Sequence, residues 1–465
     1  MNPLSPLLIS GQEVLPLVEG GKGISISTGV TAGAWAAAGG AGTFSGVNAD
    51  YFDENGRLIP IVYKERTRAK RHQELIAHAI AGGIAQAKIA HDMAGGKGRI
   101  HMNVLWEMGG VEPILEGILK EAHQLIHGIT CGAGMPYRLA QLASQFKVFY
   151  LPIVSSARAF NALWKRAYSK CSEWLGAVVY EDPWRAGGHN GLSNAEHPLH
   201  PQDPYPRVLA LRATLREAGL YRTPIVMAGG VWCLREWEHW INNEELGPIA
   251  FQFGTRPLLT QESPISPEWK QKLLTLKPGD VALNRFSPTG FYSSAVRNGF
   301  LENLEQRSAR QIGYRSAPEG EFTTALSMGE RGRSSVYVRA MDAAQAATWD
   351  AQGFDYPMKT PDNTLVFVNI EEAKQIRQDQ IDCMGCLSAC AFSSWSQAQV
   401  TTGQKPDPRS FCIQKTLQNV SHGGSVDKNL LFAGHNAYRF SQDPFYSGNV
   451  IPTVAQLVAK IQTGD

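Results

Sequence analysis

Cysteine is scarce in this chain, with seven residues in 465. The number is odd. Three are scattered at Cys131, Cys171 and Cys233, and four crowd late, from Cys383 to Cys412. That distribution argues against a disulfide framework and predicts a reducing, cytoplasmic setting. An excess of one charge is lacking too. The 44 basic and 42 acidic side chains leave +2, which gives no electrostatic footprint for nucleic acid. No apolar run approaches the roughly 20 residues of a membrane span. The segment Met1–Gly11 has no basic region ahead of an apolar stretch, so no signal peptide is expected. The common nucleotide motifs are missing as well. Gly95-Gly96-Lys97-Gly98 lacks the upstream glycine and the Ser/Thr of a P-loop, and Gly40-Ala41-Gly42 is followed by Gly46, one residue too late for a dinucleotide fingerprint.

What the chain does have is alternation. Eight short apolar runs read as strands: Val14–Val18, Gly42–Val47, Arg99–Leu105, Gly128–Cys131, Val148–Val154, Ala177–Tyr180, Pro224–Met227 and Ile249–Phe253. Helical periodicity fills most of the gaps, over His72–His91, Val111–Leu125, Pro136–Phe146, Ala157–Lys170, Pro206–Ala218 and Leu234–Asn242. The Gly- and Ala-rich span Gly29–Gly40 is a weaker helix. Eight strands alternating with helices predict an α/β fold, a (β/α)8 TIM barrel over residues 12–260, with a doubly wound open sheet as the alternative. Residues 261–428 break the pattern and read as a large insertion or small second domain carrying the cysteine cluster. A C-terminal segment, 429–465, packs back on the barrel, with a strand-like run at Leu430–Ala433 and a helix at Pro452–Ile461.

Three glycine segments follow strands six, seven and eight: Ala186-Gly187-Gly188-His189, Ala228-Gly229-Gly230 and Gly254-Thr255. The loops after strands seven and eight of such a barrel often bind phosphate, so these predict a phosphate-bearing cofactor. His189 lies beside it, and a histidine near neutrality suits proton transfer. Two other readings stand next to that one. His189 is a loop residue that caps a backbone group, or it joins His197 and His200 in a metal site, although spacings of eight and three residues fit common zinc arrangements poorly.

The chain resembles the nitronate monooxygenases, also called 2-nitropropane dioxygenases, and the related flavin-dependent enoyl reductases. The similarity runs over about residues 12–262, with a weaker stretch in the tail. It rests on Gly20-Gly21-Lys22-Gly23, Asn103, Gly132-Ala133-Gly134-Met135-Pro136, Ala186-Gly187-Gly188-His189-Asn190-Gly191, Ala228-Gly229-Gly230 and Gln252-Phe253-Gly254-Thr255-Arg256, in that order at barrel loops. The resemblance implies an FMN-binding barrel. Gly229, Gly230, Gly254 and Thr255 would bind the FMN phosphate, with Ala228 beside them. Gly21, Lys22, Gly23, Gly187 and Gly188 would lie near the flavin, and Asn103 would bond to its ring. His189 would be catalytic, removing an α-proton from a nitroalkane. The first loop departs from the family, because Lys22 stands where relatives have Gly or Pro.

The late cysteines form C-x2-C-x3-C at Cys383, Cys386 and Cys390, with Cys412 after 21 further residues. Four thiolates are what a [4Fe–4S] cluster needs. The loop resembles that of barrel flavoenzymes such as 2,4-dienoyl-CoA reductase, although the last spacing there is shorter. A structural zinc site with four cysteine ligands and unligated packing cysteines are the alternatives. The expected function is a cytoplasmic FMN-dependent oxidoreductase that oxidises a nitronate or nitroalkane with O2. The first alternative is an FMN/[4Fe–4S] reductase of an enoyl or quinone-type substrate, fed by NAD(P)H or an electron carrier such as ferredoxin. The second is a non-catalytic flavin-binding subunit. Partners are a small-molecule substrate and a second copy of the chain.

Overall fold

A computed structural model describes residues 4–328 and 334–465. Eight parallel strands close into a barrel. In chain order they are β1 (Leu17–Glu19), β2 (Ala41–Ser45), β3 (Arg99–Leu105), β4 (Gly128–Gly132), β5 (Phe149–Val154), β6 (Val178–Glu181), β7 (Ile225–Ala228) and β8 (Ile249–Phe253). Each pairs with its neighbours in sequence, and β8 returns to β1 with Phe251 opposite Leu17. The ring is complete, so the open sheet is excluded.

Successive strand residues face opposite sides. Val178 and Tyr180 pack outward with the helices, whereas Val179 joins Val18, Leu151, Val226 and Ala250 in the barrel interior. A hairpin of Leu7–Ile9 and Gln12–Val14 plugs one end by adding Ile9 and Val14 to that interior cluster. Here the expected first strand needs correction. Val14 pairs with Leu7, because Ser10 and Gly11 turn the chain at φ 47° and 79°.

The outer helices include Gly29–Ala37, Arg68–Ala94, Val111–Ala122 and Pro204–Glu217. The first forms despite its two glycines because the glycines are its contact. A Cβ at Gly29 or Gly33 would collide with the backbone of Gln86 or Ala90 on the second helix, so close packing replaces propensity. Thr28 caps its start by accepting from Thr31 N–H.

The segment after the barrel is mixed. Strands β9 (Val281–Asn284) and β10 (Ser293–Val296) pair antiparallel and continue onto the two-residue strand Gly188–His189. Further on, Ile312, Tyr314, Val336, Val338, Leu365 and Phe367 form an apolar cluster of their own. The chain then returns to the barrel. Met108 bridges Leu387, and Gly109 N–H donates to Cys386 O at 3.0 Å. The run Leu430–Ala433 is not a strand but makes a single bridge, Ala295 to Phe432. Among the described residues, no helix is long and apolar enough to cross a membrane.

Candidate active site

Strand alternation builds the floor of a deep cleft at the carboxyl end of the barrel. The inward-facing row of β3 places Asn103 and Leu105 there. In the same way β4 contributes Gly132, β5 Ile153, β6 Glu181 and β8 Gln252. The following loops make the walls: Gly21, Lys22 and Gly23 after β1; Gly187, Gly188 and His189 after β6; Gly229 and Gly230 after β7; Gly254 and Thr255 after β8. The cleft holds about 1350 Å³ of empty space, open solvent at its mouth included.

The expected catalytic and cofactor-binding residues therefore meet in one place, with one exception. Ala228 points into the barrel interior with Val226, beneath the floor, because both lie on the inward face of β7. Its side chain is not part of the cleft wall.

The bare backbone of these loops fits a phosphate-bearing cofactor. A Cβ added at Gly254 would meet nothing within 4 Å, and one at Gly188 would find nothing closer than Phe432 at 3.8 Å. A side chain at either position would enter the cleft. Gly21 is bare for another reason, since a Cβ there would collide with the Asn103 amide. That amide donates to Thr130 Oγ1 at 3.2 Å and is held across the floor.

His189 occupies the wall. Its Nε2 lies 2.6 Å from Ser287 Oγ, which in turn lies 2.8 Å from Thr289 Oγ1. Burial lowers its pKa to about 4, so the ring is neutral at pH 7. In the tautomer whose Nε2–H donates to Ser287 Oγ, Nδ1 is the basic nitrogen. Sequence reasoning missed Ser287, which lies 98 residues away in the insertion.

The family model described as nitronate monooxygenase matches residues 114–462. The chain belongs to the nitronate monooxygenase family. It is accordingly an FMN-dependent oxidoreductase. No curated protein matches the sequence. Solved structures similar in fold include two that cover nearly the whole chain. One is FabK from Thermotoga maritima, at 14% identity and a TM-score of 0.53, covering 97% of this chain and 92% of that one. The other is the enoyl reductase domain of MlnA, from the macrolactin biosynthesis cluster of Bacillus amyloliquefaciens. It is 13% identical with a TM-score of 0.54, covering 97% and 93%.

Against that family background Lys22 is informative. Its Nζ lies 2.5 Å from Glu19 Oε1 and both side chains are buried. Glu19 Oε2 also accepts from Thr43 N–H, so the pair is a fixed, neutralised unit in the first loop. Lys22 lines the cleft without presenting an unpaired charge to it.

Two further residues of this nitronate monooxygenase-family cleft escaped the sequence reading. Glu181 had no motif around it. Cys386, expected as a metal ligand, also lines the cleft beside Leu387, a placement the sequence did not suggest. Cys383 and Cys390 are hydrogen-bonded to each other through their side chains, and Cys412 lies close enough to Cys386 to act on it electrostatically. Ser393 Oγ donates to Cys383 Sγ at 2.9 Å, and the Cys390 and Ser393 hydrogen bonds bring the Cys383 thiol below its ordinary range. The four are neighbours. However, no group of three His, Cys, Asp or Glu among the described residues is arranged to hold a metal ion. His197 and His200 stack on each other at 4.2 Å, away from the cleft lining.

Proposed function

We propose that the chain is a cytoplasmic FMN-dependent oxidoreductase that oxidises a nitroalkane or nitronate with O2. The observation that carries this reading is His189. It is a neutral imidazole on the cleft wall, anchored by Ser287 through one nitrogen and free to accept a proton at the other. Bound FMN would supply the two-electron chemistry. Gly229, Gly230, Gly254 and Thr255 would hold its phosphate, with Gly21, Gly23, Gly187, Gly188 and Asn103 around its ring. His189 Nδ1 would take the α-proton of the nitroalkane, and the C–H electron pair would move toward the nitro group. The apolar lining, Val47, Leu105, Ile153 and Phe432 among it, would keep water from the carbanionic carbon. The test is oxygen uptake with a nitroalkane and with its nitronate. His189→Asn should keep FMN and lower turnover on the nitroalkane by about a hundredfold or more. Unchanged turnover would remove the role.

Cys386 favours a second reading. It places one sulfur on the cleft wall with Cys383, Cys390 and Cys412 behind it. Four cysteinates of that kind would suit a [4Fe–4S] cluster feeding single electrons to a reductase supplied by NAD(P)H or an electron carrier. Anaerobically purified protein would then contain about four iron and four sulfide per chain. Cys386→Ser would lose them and keep FMN. Stoichiometric zinc without sulfide would replace this reading with a structural site, and neither metal would leave four thiols.

A further inference from the structure

One acid on the cleft wall has no place in the chemistry above. Glu181 ends β6 two residues after Val179, so it shares the inward face of the strand. It lines the main cleft and also a smaller side chamber of about 680 Å³, open solvent included. Among the described residues, only Ala133, Ile153, Glu181 and His189 line both spaces. The partition between them thus carries two ionisable groups, one acid and one base. The side chamber is mainly apolar, with Met135, Val154, Ala159, Leu163 and Phe291 in its walls.

The Glu181 carboxyl has no hydrogen bond or ion pair among the described residues. The charged groups near it are engaged elsewhere. Lys22 is paired with Glu19. Asp182, next along the chain, turns away to accept from Trp184 N–H and Arg185 N–H. The Arg185 guanidinium lies 3.8 Å from Asp182 Oδ2. Across the partition His189 is neutral, and Cys386 is a thiol raised by burial. No cation therefore offsets the desolvation of Glu181. Burial, and next the charge of Asp182, push its pKa up to about 8. Burial thus favours the carboxylic acid form of Glu181 and the neutral form of His189 on the partition they share.

We infer that Glu181, on the partition it shares with His189, is a second catalytic residue that donates a hydrogen bond to the substrate oxygen on which charge develops as His189 removes the α-proton. The inference rests on His189 being the base. The C–H bond breaks, its proton goes to His189 Nδ1, and its electron pair forms the C=N bond while an N–O pair moves onto oxygen. The Glu181 proton stays on its carboxyl and is shared with that oxygen. A donor already positioned at the partition costs little reorganisation at the moment of reaction. The substrate class becomes specific as well. It is a carbon acid whose acceptor oxygen sits at the partition and whose apolar tail enters the side chamber.

Three variants and one spectrum test this. In the wild type, kcat/KM for a nitroalkane should fall as pH rises through about 8, when Glu181 ionises. Glu181→Gln keeps a donor that does not titrate. It should keep FMN, stay within about tenfold of wild type at pH 7 and lose the alkaline limb. Glu181→Leu should keep FMN and lose about a hundredfold or more. An alkaline limb that persists in Glu181→Gln, or full activity in Glu181→Leu, overturns the inference. Independently of turnover, the infrared difference spectrum of the holoprotein between about pH 7 and about pH 9 should contain a protonated-carboxyl band that Glu181→Gln lacks. Absence of that band from wild type overturns it too. Failure of the base reading looks different, because His189→Asn would then match wild type whatever Glu181 does.

Discussion

At the scale of single residues, the glycines of the cleft do different jobs, and this decides which one tests the cofactor cradle. Gly229 sits at φ 89°, and a Cβ there would press on Ala186 N at 3.0 Å. An aspartate at Gly229 would strain the backbone and repel a phosphate at once. Gly254 has no positive φ and open space where its Cβ would be. Gly254→Asp should therefore fold with wild-type stability and be purified with little flavin. A yellow, fully loaded Gly254→Asp protein would show that the phosphate lies elsewhere. This glycine was legible in the sequence because backbone at a barrel loop carries its chemistry without help from distant residues. Glu181 was not, although its signal was present. It follows Val179 at the strand period, so an inward-facing acid was implied once β6 was drawn as a strand. Ser287 gave no local signal at all. It reaches His189 only through the pairing of β10 with Gly188–His189.

At the scale of elements, the strands were readable because a parallel barrel strand is an apolar run bounded by turns. Errors arose where a short run found a different partner, as with Val14 in the hairpin and Leu430–Ala433 at its single bridge. The links between elements at the plugged end carry a pH dependence that the sequence hid. His127 Nδ1 accepts from Ile100 N–H at 2.9 Å, tying the start of β3 to the residue before β4. Desolvation first, then Arg99, lowers the His127 pKa to about 4. Beside it His101, against Ser10 Oγ at 3.0 Å, is lowered to about 3 by burial. A histidine with a depressed folded pKa binds more protons when unfolded. Its stabilising contribution is complete above about pH 6.5 and is lost as pH falls toward the folded value. Urea unfolding should therefore show stability falling between about pH 6.5 and pH 4 by several kcal/mol, since each histidine loses ~1.4 kcal/mol for every pH unit between its unfolded and folded pKa. His127→Asn keeps an acceptor that does not titrate in this range, so its curve should be flatter by on the order of 1–3 kcal/mol. An equally steep curve would place the acid sensitivity elsewhere.

At the scale of the whole molecule, the cleft is closed by parts of the chain that no local pattern connects. Segment 432–436 leans over the glycine loops after β7 and β8. Gly434 N–H donates to Thr255 Oγ1 at 2.9 Å, and Asn436 Nδ2 donates to Gly230 O at 2.7 Å. A Cβ at Gly187 would press on the Ala433–Gly434 peptide, so that glycine admits the tail as well as any ligand. Arg256, which the sequence placed only as the end of a motif, ties the tail down further. It is fully buried. Its guanidinium donates to Trp232 O at 2.8 Å, to Asp465 O at 3.1 Å and to Tyr446 OH at 3.3 Å, and lies 3.6 Å from Asp443 Oδ2. It also rests over the Trp232 ring, 5.1 Å from its centre. One planar fork thus joins the loop after β7, the turn after β8 and the tail. Lysine has the charge but not the fork, so Arg256→Lys should already loosen the tail. Arg256→Met fills part of the volume, leaves the Trp232 and Asp465 carbonyls without this donor, and removes the cation beside Asp443, which keeps its hydrogen bond from Trp232 Nε1–H at 3.1 Å. Asp443 keeps some access to water, so the expected loss is on the order of 2–4 kcal/mol, at the lower side of that for a fully buried pair. Both variants should be cut faster by a protease between 429 and 451 and should release FMN at lower urea concentration than they unfold. If flavin and fold were lost together, as in wild type, the tail would be part of the barrel's stability and not a separate cover over the cleft.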